Sequence, residues 1–123
     1  MTLKQVIVIR SDLKLRRGKE IAQGAHASAQ WLREKVLAAR GHGSLSDEQL
    51  QWLSGNYRKA VLRVMSEKAL RDLHYEAQNR GLTAHLVIDD GLTEVPPGTA
   101  TALAIGPHAE DVFVGLTDHL PLY

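Results

Sequence analysis

The sequence contains no cysteine. Disulfide bonds, thiolate nucleophiles and cysteine-based zinc sites are therefore excluded, and the absence agrees with a reducing compartment. The N-terminal segment also lacks a long hydrophobic run. Its only apolar run, residues 6–9, is far too short for a signal-peptide core or a membrane span. From these absences we expect a soluble, cytoplasmic protein.

The sequence also lacks a large excess of positive or negative charge. The chain has 15 lysines and arginines against 14 acids, so its formal net charge is +1. Domains that coat nucleic acid without specificity are usually basic throughout, which excludes that class here but leaves room for a local RNA-binding patch. A length of 123 residues with 44% hydrophobic residues is enough for one core. We therefore expect a single domain over residues 1–123.

Three common catalytic motifs are also absent. The sequence has no G-x-S-x-G nucleophile elbow, no H-E-x-x-H metal motif and no Walker A loop. The 6 histidines are scattered along the chain and are weak evidence for a metal site. If the chain is an enzyme, we expect it to activate water, without a covalent intermediate, a metal ion or a bound cofactor.

The most informative stretch is residues 10–27, where a basic segment leads into a predicted helix. Asp12 is the only acid before the helix, among the basic residues Arg10, Lys14, Arg16 and Arg17. Positive charge concentrated beside reactive side chains is typical of a place where an anionic ligand meets a chemical group. A solvated basic loop is the alternative interpretation.

The predicted helix has two distinct faces. At about 100° per residue, Lys19, Gln23 and His26 fall within a narrow arc of one face. The opposite face is apolar, and we expect it to pack on the core. Its members are Ile21, Ala25, Ala29, Leu32 and Val36.

Strand and helix signals alternate along the chain, which predicts an α/β fold: a layered domain with a mixed sheet of four to five strands flanked by helices. The predicted strands cover residues 4–9, 60–64, 85–88 and 101–105, with residues 120–123 as a short edge strand. Helices are predicted over residues 18–40, after a Ser46 cap and after a Ser66 cap. Gly106-Pro107 is expected to open a last helix. Residues 41–46 are expected to form the most flexible insertion.

The segment after the third predicted strand has the glycine and proline content of a loop. It reads DDGLTEVPPG and carries Asp89, Asp90 and Thr93. Because such loops commonly hold binding groups, these side chains are candidates for a functional site.

Two ordered blocks of residues carry a family resemblance. The first block is Arg10, Asp12-Leu13, Gly18-Lys19, Ala22-Gln23 and His26-Ala27. The second block is Asp89, Gly91, Thr93, Gly98, Thr101 and Ile105-Gly106-Pro107. With these blocks the chain resembles the archaeal and eukaryotic type of peptidyl-tRNA hydrolase over nearly its whole length. The resemblance implies a cofactor-independent enzyme that hydrolyses the ester bond of peptidyl-tRNA or N-blocked aminoacyl-tRNA. It also implies tRNA as a partner and makes a homodimer an open alternative.

The resemblance further implies which residues form the site. Lys19 would neutralise the oxyanion or a phosphate, and either His26 or Asp89 would take the proton of the attacking water. The substrate-binding positions that match the family motifs are Arg10, Asp12, Gln23, Thr93 and Thr101. The charge of the basic segment adds Lys14, Arg16 and Arg17 as further substrate-binding candidates. Simpler interpretations stay open: a solvated Lys19, a His26 bonded to the sheet, and an Asp89 that only caps a turn.

The chain departs from the family pattern in several places. Asp90 stands where a small residue is usual, and it adds a negative charge beside the implied site. Ser11 and Leu15 are milder changes, and residues 41–50 form an insertion that can cover a different part of the substrate. A non-catalytic module that binds tRNA or a protein, and a hydrolase for another ester or amide, remain the rival hypotheses.

Overall fold

The protein, represented by a computed structural model, is described over residues 2–38, 40, 43–91 and 94–123. Within these residues, the strands and helices follow one another in the predicted order as far as the fourth strand. The elements are β1 (Leu3–Arg10), α1 (Arg17–Ala38), α2 (Asp47–Ser54), β2 (Lys59–Val64), α3 (Glu67–Asn79), β3 (Ala84–Asp89) and β4 (Thr99–Ala109). The strands form one sheet in the order β2-β1-β4-β3, with β1 parallel to β2 and the other neighbours antiparallel. The predicted α/β class with a mixed sheet is confirmed.

Helices cover both faces of the sheet. On one face, α3 packs through Leu70 against Val8 and Leu103 of the two central strands. On the other face, α1 packs against a second cluster that includes Ile7 and Ala102. Because β1 is buried on both faces, its sequence is a nearly continuous apolar run rather than an alternating one.

The face of α1 that packs on the sheet differs from the predicted face. The buried residues of α1 are Gln23, Gly24, Ala27 and Trp31. In contrast, Ile21 is 65% exposed and Val36 is 50% exposed, so the prediction for this helix face was wrong. Small residues decide the outcome: a Cβ at Gly24 would lie 3.7 Å from Ile7, so a large side chain there would hold the helix away from the sheet. The polar residues beside Gly24 are thereby brought close to the strands.

β4 continues through Gly106-Pro107, where the sequence predicted the start of a helix. This prediction was wrong: the peptide bond between the two residues is cis, and only a short 3-10 turn, Glu110–Phe113, follows the strand. The Gly106 N–H donates to the Thr83 carbonyl at 2.9 Å. A proline after glycine is a local helix-start signal, whereas pairing with strands distant in sequence decides the structure here.

The last residues of the chain lie beside β2 without forming a full strand. The Arg63 N–H donates to the Pro121 carbonyl at 3.1 Å, and the Tyr123 N–H donates to the Val61 carbonyl at 3.0 Å. These bonds leave a single bridge between Leu62 and Leu122. The predicted edge strand over residues 120–123 is thus reduced to one bridged pair.

A β-bulge interrupts the pairing of β4 with β3. Val87 pairs with Ala102 and Ile88 pairs with Ala100, which leaves Thr101 as the extra residue. Ala100 and Ala102 would share a face in a regular strand, yet they belong to the cores on opposite faces of the sheet. The bulge therefore lies near the carboxyl end of β3, where several predicted site residues meet.

A pair of matched substitutions tests which face of α1 is packed. Ala27→Leu adds bulk at a position with 0% exposure, and we expect it to lower the free energy of unfolding by about 1–3 kcal/mol. Ala25→Leu makes the same change on the exposed side of α1, and we expect an effect within about 0.5 kcal/mol. Urea unfolding of both variants measures the difference. The reverse order of stabilities would contradict the described packing of α1.

Candidate active site

Asp89, the last residue of β3, accepts hydrogen bonds from Lys19, Gln23 and Gly91. Lys19 Nζ lies 2.8 Å from Oδ2, and Gln23 Nε2 donates to the same oxygen at 3.1 Å. The Gly91 N–H donates to Oδ1 at 2.8 Å. The side chain of Asp89 is 4% exposed and that of Lys19 is 20% exposed. Asp89 and Lys19 therefore form a nearly buried charge pair at the carboxyl end of β3.

Local sequence places each donor. Lys19 and Gln23 are one turn apart on α1, so both side chains reach the same point above the sheet. Gly91 has a φ of +94°, and a Cβ there would lie 2.5 Å from Pro97 Cγ. Only glycine fits this turn, which aims its N–H at Asp89. Asp89 thus caps a turn, as the simpler interpretation held, and it also pairs with Lys19.

The other predicted site residues are placed differently. His26 is exposed one turn beyond Gln23, and its side chain makes no hydrogen bond within the described ranges. Thr101 is 0% exposed, and its hydroxyl has no hydrogen-bond partner in the described part of the chain. Thr93 lies outside the described residues. Asp90 is exposed beside the buried Asp89.

The basic segment divides into buried and exposed residues. Arg10 is buried: its Nε and Nη2 lie 3.2 and 2.7 Å from the carboxylate of Asp12, and its Nη1 donates to the Ala100 carbonyl at 3.0 Å. These two predicted binding residues therefore bind each other and shape the turn before α1. Lys14, Arg16 and Arg17 are exposed. The Arg16 N–H donates to a carboxylate oxygen of Glu94, in the segment after β3, at 2.9 Å.

Glu67 belongs to the same network and was not predicted. Its Oε1 accepts the Ala100 N–H at 2.7 Å and lies 3.7 Å from Arg10 Nη1 and 3.6 Å from Arg71 Nη2. The Ala100 hydrogen bond, with smaller contributions from Arg71 and Arg10, lowers the pKa of Glu67. A Ser66 cap signals only that a helix starts here. Nothing in the local sequence indicates that the next side chain reaches β4.

The described ranges contain no group of three or more histidines, cysteines, aspartates and glutamates placed to hold a metal ion. Among the same residues, no helix is both long enough and apolar enough to cross a membrane.

Comparison with known proteins identifies the family. Residues 3–123 match the family model described as peptidyl-tRNA hydrolase PTH2. The chain belongs to this family. A peptidyl-tRNA hydrolase from Methanopyrus kandleri is 46% identical over 119 residues, which cover 97% of each chain. A probable peptidyl-tRNA hydrolase 2 from Dictyostelium discoideum is 38% identical and is covered over 54% of its length. The resemblance stated from the two sequence blocks is confirmed.

One solved structure shares the fold at a greater sequence distance. A protein of unknown function from Agrobacterium tumefaciens has a TM-score of 0.61 and 15% sequence identity, covering 100% of this chain and 98% of its own. At this identity the likeness concerns the fold alone.

The Glu67 network makes stability depend on pH. Because the folded-state pKa of Glu67 is lowered, its contribution is present above the unfolded-state pKa and is lost as pH falls through the folded-state pKa. We expect Glu67→Gln to be less stable than the wild type near pH 7, with a difference that shrinks towards about pH 3. Urea unfolding at both pH values measures this.

Glu76→Gln is the matched control on the same helix, because Glu76 forms an exposed salt bridge with Arg80. Its effect should be small at both pH values. If the free energy of unfolding of Glu67→Gln stayed below that of the wild type by the same amount at both pH values, the charge of Glu67 would not be what stabilises the network.

Proposed function

We propose that this protein hydrolyses the ester bond of peptidyl-tRNA and N-blocked aminoacyl-tRNA, using water activated at the Lys19–Asp89 pair and no cofactor. Membership of the peptidyl-tRNA hydrolase PTH2 family supports the substrate. The observation that carries the assignment of the site is the nearly buried carboxylate held 2.8 Å from an ammonium group at the end of β3. The non-catalytic module and the hydrolase for other esters are outcomes of the test below.

Ester hydrolysis needs a group that takes a proton from water and a donor that stabilises the oxyanion. Asp89 is the base in this proposal because its carboxylate is fixed by Gln23 and Gly91. A lysine ammonium carries three donors, and Asp89 uses one of them, so Lys19 can also donate to the developing oxyanion. Among the residues that the structure describes, the exposed His26 has no hydrogen-bond partner to orient its ring, which favours a role in substrate contact over that of the base.

The two threonines are assigned to the positioning of substrate or water. Leaving a buried hydroxyl unpaired costs about 1–3 kcal/mol, and Thr101 in its bulge carries such a hydroxyl within the described chain. This unpaired group supports a role in orienting the attacking water or the ribose. Thr93 keeps the same proposed role on the strength of the family motif.

The tRNA is proposed to bind at the N-terminal end of α1. Lys14, Arg16 and Arg17 are exposed there, and the helix N-terminus itself favours phosphate. Arg10 and Asp12 form an ion pair with each other. They therefore contribute to tRNA binding by fixing the shape of the turn rather than by contacting phosphate. Asp90 opposes the approach of RNA at the rim of the site.

We further propose that the enzyme acts in the cytoplasm and forms a homodimer. An apolar groove of about 600 Å³ between α1 and β2 supports self-association. Exposed side chains of Ile21, Val61 and Tyr123 line this groove. A second copy of the chain is the partner that we propose for this surface.

The central test is the substitution Lys19→Ala. Loss of one oxyanion donor typically lowers turnover by about 100-fold or more, and we expect at least that loss with the fold intact. Steady-state hydrolysis of N-acetyl-aminoacyl-tRNA measures turnover, and circular dichroism checks the fold. Lys68→Ala is the matched control, because Lys68 is 84% exposed on α3.

The same assay separates the rival functions. Release of tRNA from the N-blocked substrate, but not from free aminoacyl-tRNA, supports the proposed activity. Binding of the N-blocked substrate without release would identify a non-catalytic module. Unchanged turnover of Lys19→Ala at saturating substrate would remove Lys19 from the chemistry.

Neutralising Lys14, Arg16 and Arg17 together tests the tRNA surface. These side chains attract phosphate equally in the substrate and in the transition state, so we expect a higher KM and little change in kcat. Binding should also lose about one unit of salt dependence for each phosphate contact removed. Kinetics at two salt concentrations measure both effects. A collapse of kcat with an unchanged salt slope would place the segment in the catalytic machinery instead.

A further inference from the structure

The strand that carries Asp89 is one of the two edge strands of the sheet. In the described part of the chain β3 pairs only with β4. The carbonyls of Thr83 and Asp89 accept hydrogen bonds from the β4 side, from Gly106 and Gly98 at 2.9 and 2.7 Å. Along an antiparallel pair, the backbone N–H and C=O groups of successive residues point alternately towards the partner strand and away from it. Between Thr83 and Asp89, the backbone groups of every second residue therefore point away from β4.

The residues that face away are Ala84, Leu86 and Ile88. Within the described ranges, their outward N–H and C=O groups have no hydrogen-bond partner from the backbone or from a side chain. β3 therefore offers three pairs of free backbone groups, and the last pair lies next to Asp89.

A groove of about 260 Å³ follows this edge. Residues 85–88 of β3 form one side, and His26, Gln30, Arg33 and Glu34 of α1 form the other. The groove begins one helical turn beyond Gln23, which holds Asp89. Its near end at Ile88 is therefore next to Asp89, and the groove leads away from the basic segment.

The edge of β3 is not protected against pairing with another chain. Natural edge strands commonly carry lysine, proline or a bulge that prevents strand addition. Residues 84–88 read AHLVI and contain neither lysine nor proline, and the bulge lies on β4 rather than on the edge. An unprotected edge beside a reactive site favours a bound strand as the ligand.

We propose that the peptide portion of the substrate binds along this groove as an added strand parallel to β3. The inference rests on the proposed hydrolysis of peptidyl-tRNA. With the ester carbonyl at Lys19 and Asp89, the peptide runs back towards Ala84, and its N-to-C direction matches that of β3. The tRNA lies at the other end of α1, so the two halves of the substrate leave the site in opposite directions.

Strand addition fits the chemistry of this substrate. A peptidyl-tRNA can carry any peptide sequence, and main-chain hydrogen bonds recognise a peptide without reading its side chains. A free aminoacyl-tRNA has no peptide carbonyl to place beside Ile88, and its amino group is charged. The free edge thereby favours N-blocked substrates over free aminoacyl-tRNA.

The test measures kcat/KM against peptide length. Residues 84–88 span about 13 Å at roughly 3.3 Å per residue. The rise of kcat/KM with peptide length should therefore stop at about four or five peptide residues. Because each added main-chain hydrogen bond stabilises the bound peptide, we expect kcat/KM for tetrapeptidyl-tRNA to exceed that for N-acetyl-aminoacyl-tRNA by about 5-fold or more. The ratio of these two kcat/KM values is the readout.

Two variants of one residue separate the backbone from the side chain. Leu86→Pro removes an outward N–H that β4 does not use, a change that edge strands tolerate, and it should bring the ratio close to one. Leu86→Ala shortens the same side chain but keeps the N–H, so it should keep most of the ratio. A ratio that survives in Leu86→Pro would overturn the proposal.

A second measurement uses only the wild-type enzyme and does not depend on the folding of a variant. Tetrapeptidyl-tRNAs N-methylated at successive peptide residues should lose rate at alternate positions, because only every second peptide N–H faces β3. Equal kcat/KM at all peptide lengths and methylation positions would overturn the strand proposal while leaving the hydrolase activity intact. Failure to hydrolyse any N-blocked substrate would instead overturn the proposed function.

Discussion

A carboxylate with 4% of its side chain exposed remains charged only where neighbouring groups replace the water that it has lost. For Asp89 the replacement comes from Lys19, Gln23 and Gly91, which belong to a helix and to a turn far apart in sequence. The position of α1 on the sheet is therefore part of the electrostatics of the site. Gly24 permits that position: a Cβ there would already contact Ile7 and Ile9 at 3.7 Å, so a side chain longer than a methyl group would move both Lys19 and Gln23 away from β3.

The second network, around Arg10, fixes the approach to the site. Arg10 joins the end of β1 to the Ala100 carbonyl and to Asp12, and Glu67 accepts the Ala100 N–H and lies 3.7 Å from Arg10 Nη1. One guanidinium and one carboxylate thus tie the turn before α1 to the strand beside Asp89. The exposed cations of the basic segment consequently follow a turn that is tied to the sheet just before Lys19.

Local signals in the sequence were sufficient for much of the fold. The Ser46 cap was predicted from its spacing to Gln49, and the structure confirms both hydrogen bonds of the capping box. The packed face of α1 and the path of β4 through Pro107 were not predicted correctly. In both cases contacts between distant residues outweigh local propensity: close packing on Ile7 in the first case, and strand pairing in the second.

In the candidate site, too, some features could be predicted from the sequence and others could not. Lys19, Gln23 and Asp89 carry family motifs, so the sequence pointed to them, and the structure brings them within hydrogen-bond distance. Arg10 and Asp12 carry motifs too, but the sequence could not show that they bind each other. Glu67 had no signal beyond the start of a helix. Partners across the sheet depend on strand order, which local patterns do not contain.

The bulge at Thr101 interrupts the alternation of side chains between the two faces of β4, so that the residues before it and after it alternate independently. Beyond it, Ala102 and the residues that follow are fixed by the alternation of the two cores, whereas Thr99 and Ala100 take their direction from the end of β3. In a regular strand, a one-residue shift in register at one end would turn every side chain along the strand to the opposite face of the sheet. The extra residue absorbs such a change, so the end of β4 beside Asp89 can be altered without turning the core residues towards the wrong face.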